Sequence, residues 1–395
     1  MKLQMNLLTQ LIDGVHWALS RLFLRSIALV CGTASPQNPD TLFVLRNCFF
    51  GDFIVAVPAL RRLRAAFPDT EIVFLTATSF APGWRDRPQD DAIFQIEPGL
   101  IDRVVRYTGQ DLRTRRARAA LQRELARPGT AATVALVYAA DSLTSRCKRL
   151  LLCRVLGLPF PHGLTAGHTL PAQTRLNRWR LQRTDVAHQK DAALASADEL
   201  LAAAGVRGVA HDTSPNARRQ GRSGPPTIGV APFSKQPVKQ WPVAHFAALM
   251  VELHETLGAR FEVYGAPGEV ALAAELDTAL AGRVPVASLC GKLSPAELRW
   301  HIENIDVLVA LDSGPMHLAS LVNTPVVALF AQITLHAFWR PWGVAGSLVA
   351  HDVPCRACNT MDGECPLQTK ACIDGIAVDK VLQQVMATLR GVPRP

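Results

Sequence analysis

The sequence predicts an α/β protein made of two Rossmann-like, doubly wound domains that face each other across a cleft. Apolar strands without polar alternation, which are typical of buried parallel strands, alternate with helical segments in the first half of the chain. The same alternation restarts in the second half. Between the halves, residues 209–226 are polar and rich in Gly, Pro and Arg, as expected of a linker. At 395 residues the chain is long enough for two such domains.

The composition describes a globular protein with an anionic partner. Apolar residues make up 49% of the chain and charged residues 19%, which excludes a disordered protein. The net charge of +9 suits nucleic acid, an acidic membrane or a phosphorylated substrate. Only 3 Tyr are present and the basic residues are not interleaved with aromatic ones, so we expect no nucleic-acid partner.

Residues 1–40 form an N-terminal extension and linker. Residues 1–31 are largely apolar, but Asp13, His16, Arg21 and Arg25 interrupt them. No run reaches the roughly 18 apolar residues of a spanning helix, and no signal-peptide cleavage site stands out. An amphipathic helix on an anionic membrane surface is one interpretation, and a helix packed on the protein's own surface is the other. With no export signal, we expect the nine Cys to be mostly free thiols in a reducing compartment.

The first domain, residues 41–208, begins with a strand over 41–46, a helix over 53–67 and a strand over 71–76. Pro58 inside the helix predicts a kink or a tight first turn. The following predicted elements are a strand over 101–107, a charged helix over 112–127, a strand over 133–138, a helix over 145–156, a short strand and loop over 157–170, and a helix over 178–204.

The second domain, residues 227–395, repeats the pattern and ends in a Cys-rich tail and a closing helix. The predicted strands are 227–231, 260–264, one near 286, 306–311 and 326–330. The predicted helices are 245–257, 269–280, 294–304, 315–322 and 374–389.

Residues 312–317, DSGPMH, join a buried strand to a helix. Pro315 suits the first turn of that helix, with Ser313 or Gly314 as its cap. The exposed N–H groups of such a turn are a natural seat for a phosphate. Asp312 suits sugar hydroxyls, because its charge would repel phosphate. The alternative is an ordinary turn with a capping Ser and a packed His317.

Two further turns carry candidate ligand-binding side chains. The loop within residues 228–242 holds Ser234, Lys235 and Lys239, which could neutralise a diphosphate. It lacks the glycine spacing of a P-loop, so a solvated basic loop is the alternative. After the next predicted strand, Glu269 is placed either for a ribose hydroxyl or simply in the first turn of a helix.

Gly51 and Asp52 follow the first strand. A carboxylate there lies at the carboxyl edge of the sheet, where open α/β sheets bind ligands. Because it is near a helix N-terminus it should stay ionised and available as a base. The alternative is that Asp52 only caps the helix.

Four cysteines cluster in the tail, namely Cys355, Cys358, Cys365 and Cys372. One CxxC pair and two further Cys could hold a structural zinc in a Cys₄ site. The alternative is a structural staple without metal.

These segments together resemble the ADP-heptose:lipopolysaccharide heptosyltransferase family, glycosyltransferase family 9, which has the two-lobed GT-B fold. The resemblance covers roughly residues 41–76 and 227–390. It is carried by GDFIVAVPALRRLRAAFPDTEIVFLT, SKQPVKQWPVAHFAAL, YGAPGE and, most specifically, DSGPMHLASLVNTPVVALF.

The resemblance implies an inverting transfer of a heptose, or a related sugar, from a nucleotide diphosphate sugar such as ADP-heptose to a lipopolysaccharide core acceptor. It implies no cofactor in catalysis, and a cytoplasmic enzyme peripheral on the inner face of the inner membrane. Asp52 would be the general base, with Gly51 on the acceptor side. The donor would be bound by Ser234, Lys235, Lys239, Glu269, Asp312, Ser313, Gly314, Pro315, Met316 and His317.

The chain departs from the family pattern at two turns. Pro232-Phe233 stands where the family usually shows a Gly, and residues 47–50 are bulkier than usual. Two other functions remain open. A sugar-nucleotide epimerase of the same fold would need extra carboxylates at the sugar. A non-catalytic nucleotide-sugar-binding protein would have lost the base, and the presence of Asp52 argues against it.

Overall fold

The computed structural model describes residues 37–46, 49–77, 91–126, 131–137, 143–162, 188–206, 224–333, 336–344, 346–355, 358 and 365–391. The chain divides into two compact units, Met1–Thr213 and Ser214–Pro395, and the division falls inside the predicted linker 209–226. The helix considered for residues 1–31 lies outside the described residues. In the part of the chain that is described, no helix combines the length and apolarity needed to cross a bilayer.

The first unit contains a parallel sheet. Its strands are β1 (Thr41–Leu45), β2 (Glu71–Ala77), β3 (Arg103–Tyr107) and β4 (Ala132–Leu136), in the order β3-β2-β1-β4. Leu45 at the end of β1 pairs with Leu75 and Leu136, so the carboxyl ends of neighbouring strands are level. The helices described in this unit are α1 (Phe50–Ala66), α2 (Gly109–Arg113), α3 (Arg115–Leu125), α4 (Leu143–Leu156) and α5 (Gln189–Ala203).

Helix α1 begins at Phe50, three residues earlier than the sequence predicted. Asp52 explains the difference, because its Oδ2 accepts the backbone N–H of Phe49 at 3.1 Å and so satisfies a donor at the helix start. Pro58 lies inside α1 without ending it, since the helix continues to Ala66. Two arginines fasten α1 to its surroundings: Arg61 pairs with Glu97, and Arg62 with Asp198 of α5.

The charged helix predicted over 112–127 is two helices. Thr114 separates them with an extended backbone, and its hydroxyl accepts the N–H of Ala117 at 3.2 Å. A Thr that caps a new helix competes with continuation of the preceding one, which is why one predicted helix became α2 and α3.

The second unit contains a larger parallel sheet. Its strands are β5 (Thr227–Ala231), β6 (Arg260–Val263), β7 (Val286–Ser288), β8 (Val307–Leu311), β9 (Val326–Phe330) and β10 (Gly346–Ala350). Its described helices are α6 (Val243–Leu257), α7 (Val270–Leu280), α8 (Pro295–Glu303), α9 (Gly314–Leu321), α10 (His336–Trp339), α11 (Ala371–Asp374) and α12 (Val378–Leu389). Parallel sheets in both units confirm the predicted α/β class.

The closing helix predicted over 374–389 begins only at Val378. The preceding turn of helix, α11, ends at Asp374, and Gly375 follows it. A Cβ added to Gly375 would come within 2.6 Å of the Ala371 carbonyl oxygen and 2.7 Å of the His351 ring. Strand β10 was not predicted, because it lies at the sheet edge and is only partly buried, so its sequence lacks a long apolar run.

Candidate active site

The second sheet reverses its winding between β5 and β8. The strand order is β10-β9-β8-β5-β6-β7, so the chain runs outward from β5 to β7 and then returns to β8 on the other side of β5. Open α/β sheets bind ligands outside the carboxyl ends of the strands at such a switch point. The two turns that leave this point are the Ser-Lys loop after β5 and the DSGPMH turn after β8.

An ion pair joins these two turns. Lys239 ends the 3₁₀ turn Pro237–Lys239, and its Nζ lies 2.7 Å from Oδ2 of Asp312. The Asp312 side chain is 7% exposed and that of Lys239 18%, so the contact is shielded from solvent. Two residues 73 positions apart in the sequence therefore meet at one place on the sheet edge.

Helix α9 opens beside this pair. Ser313 is the residue preceding the helix, as predicted, but its side chain makes no capping bond to the first turn. Its hydroxyl donates instead to the Leu311 carbonyl oxygen at 3.2 Å. The N-terminal N–H groups are thus not capped by Ser313, which leaves the positive end of the helix able to interact with an anion.

Met316 and His317 are both buried in α9. Met316 is 0% exposed, so a contribution to ligand binding would come through its backbone. His317 is 4% exposed, with its ring centroid 5.7 Å from that of Trp339 and 5.8 Å from that of Trp342. This packing matches the alternative of a packed histidine. The two tryptophans lie in the connection from β9 to β10 and were not singled out from the sequence.

The loop after β5 is held in place by the buried Trp241. Trp241 is 1% exposed and its indole N–H donates to the Ile376 carbonyl oxygen at 2.9 Å, which ties the loop to the C-terminal segment. Ser234 accepts the backbone N–H of Gln236 at 3.2 Å, and Lys235 is exposed. The loop is therefore a turn held by specific contacts, with one exposed lysine, Lys235, and one partly buried lysine, Lys239.

Phe233, which with Pro232 stands where the family usually shows a Gly, is accommodated by Gly265. Phe233 is 5% exposed and packs in the core. A Cβ on Gly265 would lie 2.9 Å from the Phe233 ring and 2.9 Å from the Cys290 sulfur. The large Phe233 ring fits because Gly265, in the turn after β6, has no side chain.

Glu269 caps its own turn. Its Oε2 accepts the backbone N–H of Ala266 at 2.7 Å, at the start of the 3₁₀ turn Pro267–Glu269. This is the local alternative foreseen from the sequence, and the ribose contact stays a prediction. Burial, helped by the Glu269 charge, raises the pKa of the neighbouring Cys290 thiol to about 11.

In the first unit, Asp52 and Gly51 lie in the first turn of α1, directly after β1. Both are partly buried, and residues 47–48 of the preceding turn lie outside the described residues. Sequence reasoning missed Arg46, which is 2% exposed and donates to the Val137 carbonyl oxygen at 2.6 Å. Arg46 links the ends of β1 and β4. In the sequence it could have been recognised as a charged residue at the end of an otherwise apolar strand.

The four tail cysteines are close enough for the charges of three of them to affect the pKa of the fourth. Burial raises the pKa of Cys372, and the charges of Cys358, Cys355 and Cys365 raise it further. Burial alone would also raise the pKa of Cys365, but N–H groups of Lys370, Leu367 and Thr369 bond its sulfur and lower that pKa. Among the described residues, no group of three or more His, Cys, Asp or Glu is arranged to hold a metal ion. The structural zinc stays a prediction.

Two parallel Rossmann-like sheets, with candidate ligand-binding turns at the switch point of the second, are the architecture of GT-B-type proteins. A glycosyl transferase of family 9 from Veillonella parvula matches with a TM-score of 0.62 at 18% identity, over 90% of this chain and 98% of that one. ADP-heptose lipopolysaccharide heptosyltransferase II of Escherichia coli matches with a TM-score of 0.55 at 18% identity, over 89% and 99%. These likenesses show the shared fold.

Sequence comparison gives the family. The family model described as glycosyltransferase family 9 (heptosyltransferase) matches residues 141–369, more than half of the chain. The chain belongs to this family. Lipopolysaccharide heptosyltransferase 3 of Escherichia coli is 34% identical over 116 residues, which are 29% of this chain and 34% of that protein. Lipooligosaccharide heptosyltransferase 2 of Campylobacter jejuni is 28% identical over 176 residues, 43% and 53% respectively. The chain thus spans only about a third to a half of these relatives.

Gly265→Ala should destabilise the second unit by about 1–3 kcal/mol, because the new methyl group would clash with Phe233 and Cys290. Chemical denaturation measures the change in the free energy of unfolding. Gly109→Ala is the matched control, since nothing lies within 4 Å of the added Cβ there. Equal stability of the two variants would contradict the packing role of Gly265.

Cys365 should be alkylated at lower pH than an ordinary thiol, because its lowered pKa gives thiolate earlier as pH rises. Cys153, whose pKa burial raises to about 12, should stay unmodified through neutral pH. Mass spectrometry after iodoacetamide treatment over a pH series measures both. Protection of Cys365 that a chelator removes would support the zinc site, whereas metal analysis of the untreated protein finding no zinc would remove it.

Proposed function

We propose that the protein is an inverting heptosyltransferase that moves a heptose, or a closely related sugar, from ADP-heptose to a lipopolysaccharide core acceptor. The observation that supports the proposal best is the Lys239–Asp312 contact at the switch point of the second sheet, because a cation there suits a phosphate and an acid there suits a sugar hydroxyl. Membership of family 9 and the names of the matched relatives support the chemistry.

Lys239 can serve Asp312 and a diphosphate at once. An ammonium group has three N–H donors, and one of them is directed to Asp312 at 2.7 Å. The other donors can bond phosphate oxygens while Asp312 keeps Lys239 in place. The second oxygen of the Asp312 carboxylate can accept a sugar hydroxyl, so one ion pair can orient both parts of the donor.

The same groups would stabilise the transition state. As the bond from the anomeric carbon to the diphosphate breaks, negative charge grows on the leaving nucleotide. Lys239, Lys235, Ser234 and the N-terminal N–H groups of α9 would bind that charge, and preorganised donors of this kind are each worth about 3 kcal/mol. This assignment gives the protein's own cations and N–H groups the role of neutralising the diphosphate.

Asp52 is proposed as the general base. It would take the proton from the acceptor hydroxyl as the oxygen attacks the anomeric carbon on the face opposite the diphosphate, which inverts the configuration. The bond from Phe49 N–H to Asp52 Oδ2 fixes the carboxylate at the start of α1. The acceptor would be a glycolipid of an anionic membrane surface, reached from its cytoplasmic side.

Lys239→Gln should lower kcat/KM for transfer by roughly a hundredfold or more, because Gln can bond Asp312 but brings no charge to the diphosphate. Asp312→Asn should lower it too, and the double variant should lose less than the two single losses combined, because the residues act as a pair. Lys380→Gln, an exposed lysine of α12, is the control. Activity of Lys239→Gln equal to that of this control would exclude the donor-site assignment.

Asp52→Asn should abolish transfer and leave the fold intact, because Asn still accepts the Phe49 N–H but is no base. The wild-type reaction is followed with ADP-heptose and a deep-rough lipopolysaccharide acceptor, and the anomeric configuration of the product is read by NMR. Consumption of donor without acceptor would point to an epimerase. Full activity of Asp52→Asn would remove Asp52 as base, and binding of donor by the wild type without turnover would indicate a non-catalytic binding protein.

A further inference from the structure

The excess positive charge of the chain is concentrated in α2, α3 and α4. The segments Gly109–Leu125 and Leu143–Leu156 contain nine Lys and Arg against two Asp and Glu, whereas the whole chain has 42 against 33. Fewer than a tenth of the residues therefore carry most of the net charge of +9. A charge distribution this uneven indicates a binding surface for an anionic partner, because a general requirement for solubility would not concentrate the charge in one place.

These helices cover the same side of the first sheet. Leu121 and Leu125 of α3 belong to one hydrophobic cluster with Cys153 and Leu156 of α4 and with β1 to β4. The side chain of Gln122 in α3 also donates to the Val155 carbonyl oxygen of α4 at 2.8 Å. Because the inward residues share one cluster, the outward residues of both helices lie on one side of the unit.

The outward residues combine basic groups with an exposed leucine. Lys148, Leu151 and Arg154 recur every three residues along α4, all are exposed, and Leu151 is 62% exposed. On α3 the exposed basic residues are Arg115, Arg116 and Arg123. We call these six residues the basic face. Of the two acidic residues in the segments, Asp111 is bonded to the N–H and hydroxyl of Thr108.

We propose that the basic face docks onto an anionic lipid bilayer. Lys and Arg near an anionic membrane each strengthen binding to it, and their aliphatic stems can lie along the lipid while the charges stay at the headgroups. Leu151, placed between Lys148 and Arg154, would insert among the acyl chains, as apolar residues of interfacial helices do. Leu151 is 62% exposed, so most of its side chain is available for such a contact.

A bilayer fits better than nucleic acid. The two segments contain no Phe, Tyr or Trp, so the basic face has no ring on which a base could stack. An apolar side chain in its centre would also lie against phosphates in a nucleic-acid complex. The inference goes beyond the proposed function, because it assigns a docking surface separate from the donor-binding turns, and its test does not depend on sugar transfer.

Flotation of the full-length protein with vesicles tests the proposal. Binding to phosphatidylethanolamine–phosphatidylglycerol vesicles should exceed binding to neutral phosphatidylcholine vesicles and should weaken as salt is raised. The double reversal Lys148→Glu with Arg154→Glu should lower the partition coefficient at least about tenfold. Leu151→Ser should lower it several-fold, with the salt dependence unchanged. The control, Arg260→Glu with Lys380→Glu, makes the same charge change at exposed positions of the second unit and should have little effect.

Three outcomes would overturn the proposal. The first is equal vesicle binding by the double reversal and its control, which would assign membrane binding to another part of the chain, such as residues 1–31. The second is equal binding to neutral and anionic vesicles. The third is tighter binding to duplex DNA than to vesicles, lost in the double reversal. Transfer to a soluble, delipidated acceptor is measured in parallel without vesicles; it should be unchanged in the basic-face variants, and its absence in the wild type would count against the proposed function alone.

Discussion

The ion pair between Lys239 and Asp312 is the contact on which the candidate site depends. It can form only because the second sheet reverses its winding between β5 and β8, so that the turns following these two strands leave the sheet side by side. Burial strengthens the attraction between the charges but also removes water from them, so each residue requires the other. The same burial restricts the positions that both side chains can adopt.

The surroundings of the pair are built by segments far apart in the sequence. The Trp241 indole N–H donates to the carbonyl oxygen of Ile376 near the C-terminus, and the Phe233 ring packs against Gly265 after β6. His317 is packed against Trp339 and Trp342 from the connection before β10. The bulk of Phe233, at one departure from the family pattern, is thus matched by the absence of a side chain at Gly265.

Local patterns predicted the elements best where burial was complete. The bounds of β5 and β9 were predicted without error, and β8 within one residue, because strands buried on both faces leave an unbroken apolar run. The helix ends were predicted less well. Asp52 moved the start of α1, Thr114 divided α2 from α3, and Gly375 separated α11 from α12, since each ending depends on one hydrogen bond or one close contact.

The sequence by itself determined the α/β class, the linker, the family and the turns that follow β1, β5, β6 and β8, because strand periodicity and turn residues are local properties. Only the tertiary structure decided which of those residues meet. It joined Lys239 to Asp312, directed the Ser313 hydroxyl to the Leu311 carbonyl oxygen, packed His317 against two tryptophans and buried Arg46 at the strand ends. Such contacts follow from strand order and side-chain packing, which bring together residues whose separation along the chain carries no sign of their proximity.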